Sequence, residues 1–255
     1  LTRGGLIFSG SRDTQLTWMD ATAWGRPVTP RHGFAVELNA LWYDALCLLG
    51  RLNTIAGKRT DTLISDLIEN YPKLYRSTFW LEDEQFLSDT VNENGPDRKL
   101  RPNMLFASSA SKGLLSIEQC RAVVRTAEKH LITPMGLRTL SPDDPDFQGV
   151  YHGGPDERDS QYHQGTVWPW LIGIMVESSL AAADDIEKQA AFWSNYIKQL
   201  LDTHLLNDGW GFISEIFDGQ TPSRGKGSFA QAWSCSEVIR ALELINLTGA
   251  KLNLG

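Results

Sequence analysis

Two acidic residues far apart in the chain stand where a carboxylate could act as a general acid or base. Asp20 ends the run Thr-Trp-Met-Asp at 17–20, directly before a stretch rich in glycine and proline. A tryptophan beside a carboxyl group can raise its pKa by desolvation, which a general acid working near neutral pH requires. Glu215 lies among apolar neighbours at 210–217, so it needs either a buried partner or a place in a cleft. Both are therefore candidates for acid–base catalysis.

Other charged residues compete with this pair. By residue type alone, Asp20 is explained better as a loop or capping aspartate than as a catalytic acid. Glu37 and Glu237 rank no lower than Glu215 on the same grounds. Arg31, in Thr-Pro-Arg-His-Gly, could bind substrate hydroxyls or hold a second carboxylate. The residues alone leave these alternatives open.

The segment 162–170, Tyr-His-Gln-Gly-Thr-Val-Trp-Pro-Trp, is the densest run of hydrogen-bonding and stacking groups in the chain. His163 and His152 lack the i, i+4 spacing of helical metal ligands, and no cysteine lies near them. We therefore expect no metal here, but donors for the hydroxyl groups of a sugar. Arg101, in Leu-Arg-Pro-Asn at 100–103, is explained more simply by an ion pair.

Nine tryptophans are the outstanding feature of the composition. Several stand beside glycine, proline and acidic residues, where packing alone does not demand an indole. A flat aromatic face next to polar groups suits a pyranose ring, whose faces are partly apolar and whose rim carries hydroxyls. They are spread along the whole chain: Trp18, Trp24, Trp42, Trp80, Trp168, Trp170, Trp193, Trp210 and Trp233.

The net charge of −7 argues against a nucleic-acid or anionic-membrane partner, because nothing would offset repulsion from phosphate. It is compatible with a neutral substrate. No apolar run approaches the ~20 residues that a membrane span needs, and the first residues show no signal-peptide pattern.

The three cysteines, Cys47, Cys120 and Cys235, have no metal or redox spacing, and an odd number cannot all pair with one another. They predict reduced, buried thiols in a cytoplasmic protein.

The spacing of apolar residues predicts a mostly helical chain. A first helix covers 34–49, and Asp61 caps a second helix that Pro72 ends. A capping box at 116–119 opens a third, which Pro134 ends. Three further helices are predicted at 167–183, 184–206 and 229–247. Strand-like alternation is weak, and its best candidates are 5–8 and 210–216.

Long connectors separate the helices. They are rich in Gly, Pro, Asp and Arg and also hold Trp, Tyr and His, which disordered linkers avoid. We expect the helices to form a scaffold of hairpins and the loops to carry the chemistry. These connectors are 9–32, 88–113, 133–166 and 207–228.

Taken together, these segments resemble the C-terminal amylo-α-1,6-glucosidase domain of glycogen debranching enzymes. The resemblance runs in the same order from about Gly5 to about Leu244, and 162–170 is its most specific part. The matching segments are 17–20, 29–33, 37–42, 101–103, 133–141, 162–170 and 215–233.

The resemblance implies an all-α fold, an (α/α)6 toroid of helical hairpins with short β pieces in its loops. It also implies inverting removal of one glucose from an α-1,6 branch point of an α-glucan or branched oligosaccharide. Asp20 would be the general acid and Glu215 the general base, with no metal and no cofactor. The expected substrate-binding residues are Trp18, Arg31, Glu37, Asn39, Trp42, Arg101, Asn103, Arg138, His163, Gln164, Trp168, Trp170, Gln231 and Trp233.

About seven helices are predicted, whereas such a toroid needs twelve. At ~12 residues per helix plus long connectors, twelve would overrun 255 residues. We therefore expect residues 1–255 to form a single catalytic domain that is the C-terminal portion of the toroid and lacks its N-terminal helices. Two other functions remain open: a six-hairpin exo-glycosidase acting on a different α-linked glycan, or a non-catalytic carbohydrate-binding helical domain.

Overall fold

The computed structural model describes residues 3–109 and 113–249. Eight α-helices lie in this part of the chain: α1 Val36–Ile55, α2 Thr62–Phe79, α3 Leu105–Ser109, α4 Ile117–His130, α5 Pro155–Gln161, α6 Leu171–Ala182, α7 Ile186–Leu200 and α8 Ala232–Leu247. The strands are short: β1 Thr22–Ala23, β2 Arg26–Pro27, β3 Phe34–Ala35, β4 Trp80–Leu81, β5 Phe86–Leu87, β6 Thr90–Asn92, β7 Gly95–Pro96, β8 Ile132–Thr133, β9 Gly136–Arg138, β10 Val167–Trp168, β11 Ile216–Phe217 and β12 Gly225–Lys226.

Local capping signals start three of these helices. The Asp61 side chain accepts a hydrogen bond from the Leu63 N–H at 2.8 Å. Ser116 and Gln119 form a reciprocal capping box at the start of α4, and Asp185 caps α7. Each cap satisfies N–H groups that the first helical turn would leave unpaired. The predicted starts of α2 and α4 are thereby confirmed.

Seven of the eight described α-helices, all except α5, pack in two rows. In the first row α1 contacts α3, α3 contacts α6, and α6 contacts α8. In the second row α2 packs on α1, α4 packs on α3 and α6, and α7 packs on α6 and α8. Successive helices therefore alternate between the rows as stacked hairpins. This arrangement confirms the predicted mainly helical, hairpin-built fold class.

Helix α6 occupies the centre of this packing. Most of its residues are buried, because an apolar helix surface must be covered on every side that would otherwise face water. Its two buried serines are satisfied by neighbouring elements. Ser178 donates to the Leu105 carbonyl at 3.1 Å, and Ser179 accepts from the Trp193 indole N–H at 2.9 Å.

The predicted end of the second helix at Pro72 is wrong, because α2 continues to Phe79 with Pro72 inside it. A proline there removes one helical hydrogen bond, at a cost of ~3 kcal/mol in a helix interior. Tyr75 and Phe79 follow it at helical spacing and are completely buried. Burial of these rings outweighs the local penalty.

Other predicted boundaries also shift. Val167 and Trp168 belong to β10, so α6 begins only at Leu171, four residues later than predicted. The final helix begins at Ala232 rather than 229, and α1 runs six residues beyond 49, to Ile55. Helix α7 ends at Leu200 and passes into a π-helical turn at Leu201–Leu205.

The two predicted strands at 5–8 and 210–216 are wrong. Arg3–Gly5 form a 3-10 turn, and the Ile7 N–H donates to the Asn39 side chain instead of a strand partner. In the second segment Trp210 and Gly211 have positive φ angles, which break an extended backbone, so the strand begins only at Ile216.

The predicted buried thiols are free but half-buried: Cys47, Cys120 and Cys235.

Candidate active site

A five-stranded antiparallel sheet, in the order β12-β11-β10-β9-β8, brings distant loops together. Val167 of β10 pairs with Phe217 of β11 on one side and with Arg138 of β9 on the other. The aromatic segment 162–170 is therefore held beside the strand that follows Glu215. The strand pairing itself brings these two segments together.

The Glu215 carboxylate is half-buried and held by two donors. The Ser228 N–H donates to Oε2 at 2.9 Å, and the Gln231 side chain donates to Oε1 at 3.1 Å. The backbone of Glu215 is fixed as well, because its N–H donates to the Ser228 carbonyl at 2.8 Å. At Gly227, whose φ is +66°, any Cβ atom would collide with the carboxylate. Gln231, expected to bind substrate, thus positions Glu215 from the N-terminus of α8.

Both candidate carboxyl groups influence the pKa of Tyr162. Burial raises the pKa of its phenol, and so do a hydrogen bond to the Glu215 carboxylate and the negative charge of Asp20. The hydroxyl therefore stays protonated beside Glu215. Sequence reasoning singled out 162–170 but missed Tyr162 as a site residue, because a tyrosine beside histidine and tryptophan is equally typical of core packing.

Asp20 is exposed, between the buried residues Met19 and Ala21. Its loop is anchored by Thr29, whose hydroxyl donates to the Met19 carbonyl at 2.9 Å. The neighbouring Trp18 indole turns away into the interior, where its N–H donates to Asn103 at 2.7 Å. Trp18 therefore does not provide the desolvation of Asp20 that the Thr-Trp-Met-Asp run suggests.

A buried ionic network lies behind Trp18. Arg31 makes a bidentate pair with Glu37 at 2.5 and 2.6 Å, and also binds Asp89 at 2.5 and 3.0 Å. Burial alone would lower the pKa of Arg31, but the charges of Asp89 and Glu37 raise it above its ordinary value. Asn103 donates to Asp89 at 2.7 Å and so links the network to Trp18. Arg31 and Glu37 consequently neutralise each other's charge, and Glu37 also lines a cavity beside Trp18.

Arg101 is also occupied by protein groups. It donates to the carbonyls of Thr139 and His163 at 3.0 and 2.7 Å, and to the Gln164 side chain at 2.5 Å. Burial lowers the pKa of this guanidinium. Arg101 thus holds the segment 162–170 in place, and Gln164 accepts one of these hydrogen bonds with its amide oxygen.

His163 is completely buried, and neither ring nitrogen has a hydrogen-bond partner in the described structure. Its ring stacks on Trp168, with 5.3 Å between ring centroids. Burial, with the positive charges of Arg101 and Arg31, lowers its pKa to about 3, so the imidazole is neutral. Its placement suits an aromatic core position.

An aromatic cluster around Trp18 contains Trp168, Trp170 and Trp233. Trp170 and Trp233 stack at 4.0 Å between ring centroids, and Trp18 meets both edge-on. A cavity of about 410 Å³ is lined by these three rings, by Phe106 of α3 and by residues of α1 and α8. Glu237, also at this cavity, pairs with Arg240 at 2.8 Å. Of the five tryptophans that were predicted to bind substrate, three line this cavity.

Three expected binding residues lie elsewhere. Asn39 is buried in α1 and bonds the Ile7 backbone and Tyr71, while the Trp42 indole donates to the Gly5 carbonyl at 3.1 Å. Arg138 donates to the Gly219 carbonyl at 2.8 Å, across the five-stranded sheet. The structure does not bring these side chains into the cluster around Trp18; each holds a chain segment in place.

Two properties of the described residues bear on other kinds of site. No group of three or more His, Cys, Asp or Glu side chains in this part of the chain could hold a metal ion. Within the same residues, no helix has the length and apolar character to cross a membrane.

Comparison of the sequence with known proteins finds a matching family and a related enzyme. A family model described as amylo-alpha-1,6-glucosidase matches residues 2–240. The glycogen debranching enzyme of Saccharomyces cerevisiae is 31% identical over 287 residues, a match that covers 90% of this chain and 18% of that protein. The chain therefore spans less than a fifth of the length of this relative.

Solved structures share the fold at low identity. A GH63 mannosylglycerate hydrolase from Thermus thermophilus superimposes with a TM-score of 0.59 at 17% identity, covering 83% of this chain and 46% of that one. The neutral trehalase Nth1 from Saccharomyces cerevisiae gives a TM-score of 0.62 at 17% identity, covering 88% and 40% respectively. Both likenesses show the same helical-hairpin fold.

Proposed function

Because the chain belongs to the amylo-α-1,6-glucosidase family, we propose that it carries the catalytic residues of a glycoside hydrolase that releases single glucose units from α-1,6 branch points of a glycogen-type glucan. The observation that carries this proposal is the fixed Glu215 carboxylate, held by Ser228 and Gln231 beside the Tyr162 hydroxyl. Hydrogen bonds donated to a carboxyl group fix its direction, as a general base requires.

The proposed reaction is a single displacement with inversion. Asp20, as the general acid, gives a proton to the glycosidic oxygen as the bond to the anomeric carbon breaks. Glu215 takes a proton from a water that attacks the same carbon from the opposite face of the sugar. This geometry requires the two carboxyl groups to lie roughly 6.5–9.5 Å apart when substrate is bound. The exposed position of Asp20 leaves it accessible to a branch point.

The test uses the full-length protein and a branched dextrin that carries single α-1,6-linked glucose stubs. Glucose release should fall at least a thousandfold in Asp20→Asn and in Glu215→Gln, since each removes an essential proton transfer. Proton NMR of the first product should show β-glucose. Early α-glucose would contradict inversion, and normal hydrolysis by both variants would contradict the site.

A second candidate is an exo-glycosidase for a different α-linked glycan. It is favoured by the fold shared with a mannosylglycerate hydrolase and a trehalase, since one fold carries different specificities. Comparing kcat/KM on branched dextrin, trehalose and mannosylglycerate separates the two candidates. A non-catalytic carbohydrate-binding domain would bind glycan and hydrolyse none of these compounds.

We place the protein in the cytoplasm. The support is its three unpaired cysteines, which a reducing compartment keeps free. A neutral glucan is the proposed partner, in keeping with the net charge of −7.

A further inference from the structure

Two exposed tryptophans stand on the loops that carry the candidate carboxylates. Trp24, which is 67% exposed, follows Asp20 by four residues, and Trp210, which is 85% exposed, precedes Glu215 by five. A chain spans at most ~3.6 Å per residue, so their Cα atoms lie within about 14 and 18 Å of those of the carboxylates. Neither indole is used by the core or by the proposed chemistry.

Trp24 occupies a backbone position that is unfavourable for its residue type. It forms the two-residue turn between β1 and β2 with Gly25, and both have positive φ, 50° and 72°. This is the pattern of a type I′ turn, where asparagine, aspartate and glycine are preferred and a bulky residue is strained. The Asp156 carboxylate accepts the Trp24 N–H at 2.6 Å and helps to hold the turn. A mostly solvent-facing tryptophan in this turn therefore gains little burial to offset the strain.

The surroundings of Trp24 offer polar groups next to the indole. An open groove of about 620 Å³ is lined by Trp24, Arg26, Gln148 and Ser160, together with Ala23, Pro27 and Val28. The side chains of Arg26 and Gln148 are exposed. An aromatic face flanked by guanidinium, amide and hydroxyl groups matches a pyranose ring, which has an apolar face and a hydroxyl rim.

Trp210 repeats the same features on the other loop. Its φ is 52°, and the backbone around it is fixed: the Gly211 N–H donates to the Leu205 carbonyl at 2.9 Å and the Phe212 N–H to the Gly209 carbonyl at 2.8 Å. Phe212 and Phe229 are exposed beside this loop and meet edge-to-face at 6.0 Å. Phe229 directly follows Ser228, whose N–H binds Glu215. The exposed rings of Phe229 and Phe212 therefore lie on the surface next to the Glu215 loop.

We propose that Trp24 and Trp210 are carbohydrate-stacking platforms that bind the glucan chain beyond the glucose being released. The groove beside Trp24 takes a neutral hexose unit on one side of the scissile bond, and Trp210 with Phe212 and Phe229 takes a further part of the polymer. This inference rests on the proposed function for the position of the scissile bond. Glucan binding by these rings is measurable without catalysis.

The experiment replaces each ring by asparagine, Trp24→Asn and Trp210→Asn, in the full-length protein. Asparagine tolerates a positive φ, so the melting temperature should stay the same or rise. The KM for glycogen-derived branched dextrin should rise about tenfold relative to the KM for isomaltose. Trp24→Phe and Trp210→Phe, which keep an aromatic face, should recover most of this loss. Phe192→Ala, at an exposed ring on α7, is the control and should leave both KM values unchanged.

Binding is measured separately by native electrophoresis in gels that contain glycogen. The wild-type protein should be retarded, and each asparagine variant should be retarded less. Equal retardation of wild type and variants, or a parallel rise of both KM values, overturns the proposal. A fall in melting temperature also overturns it, because it would show that the indoles pack against protein. Retardation without any glucose release would retain the platforms and reject the proposed function.

Discussion

At the level of single residues, Tyr162 and His163 are neighbours in sequence with opposite surroundings. The phenol of Tyr162 meets negative charge at Glu215 and Asp20 and keeps its proton. The imidazole of His163 is buried near the positive charges of Arg101 and Arg31 and stays neutral. Their residue types pointed to hydrogen bonding with a sugar, but only the surrounding charges and burial distinguish a base-positioning phenol from a ring in the core.

Replacement of Tyr162 by phenylalanine should lower kcat for glucose release about tenfold, with a smaller change in KM. The substitution removes the hydroxyl beside the Glu215 carboxyl group and leaves the ring in place; a polar interaction with a charged group is worth ~1.5–3 kcal/mol. Tyr196→Phe is the matched control, because its hydroxyl donates to the Thr133 carbonyl away from Glu215. Equal effects of the two substitutions on kcat would contradict a role for Tyr162 in holding the base.

His163 should make the stability of the protein depend on pH. Its pKa in the folded state, about 3, lies below the ordinary 6.5, so the unfolded chain takes up the proton first as the pH falls. The contribution is fully present above 6.5, and the free energy of unfolding should decrease as the pH drops toward 3. Urea denaturation at a series of pH values should show a shallower decrease in His163→Phe. An unchanged slope would mean that His163 is accessible to protons in the folded state.

At the level of elements, the sequence predicts what local chemistry decides. The caps at Asp61 and Ser116 are satisfied within three residues, so their helices begin as predicted. The sheet around β10 was missed because its strands have two or three residues, too few for alternation to be visible. The predicted helix end at Pro72 was wrong because α2 is continued by the burial of Tyr75, and that burial depends on contacts distant in sequence.

Pro72→Ala should stabilise the protein by about 1 kcal/mol. Alanine restores an N–H that can bond to the preceding turn of α2, although it also loosens the unfolded chain, which offsets part of the gain. Lys73→Ala, at the exposed neighbouring position, is the control for helix propensity. Urea denaturation measures both. A loss of stability in Pro72→Ala would mean that the proline fits a bend that the packing of α2 requires.

At the level of the whole molecule, the two rows of helices leave apolar surface uncovered. On α1, Leu48, Leu52 and Ile55 are exposed, the last to 83%. Contiguous apolar surface of this kind promotes association in water. It belongs to the first helix of a row that ends at α8, so exposure follows from position in the row rather than from poor packing.

The isolated chain of 255 residues should therefore self-associate at micromolar concentration. Changing Leu48, Leu52 and Ile55 together to glutamine should shift the sedimentation-velocity profile toward monomer. Leu63→Gln, at an exposed leucine of α2, serves as the comparison and should have little effect. A wild-type chain that sediments as a monomer throughout would show that the surface of α1 is tolerated in water.

The five-stranded sheet also has a kinetic consequence. Its pairings join Arg138 to Val167 and Val167 to Phe217, and so close loops of about 30 and 50 residues. Loop closure costs entropy before any contact repays it, whereas each helix forms from neighbours. During refolding, the far-ultraviolet helical signal should return first, and the fluorescence of the tryptophans around Trp18 should return later. The part of the molecule that is proposed to perform the chemistry is then the last to acquire its shape.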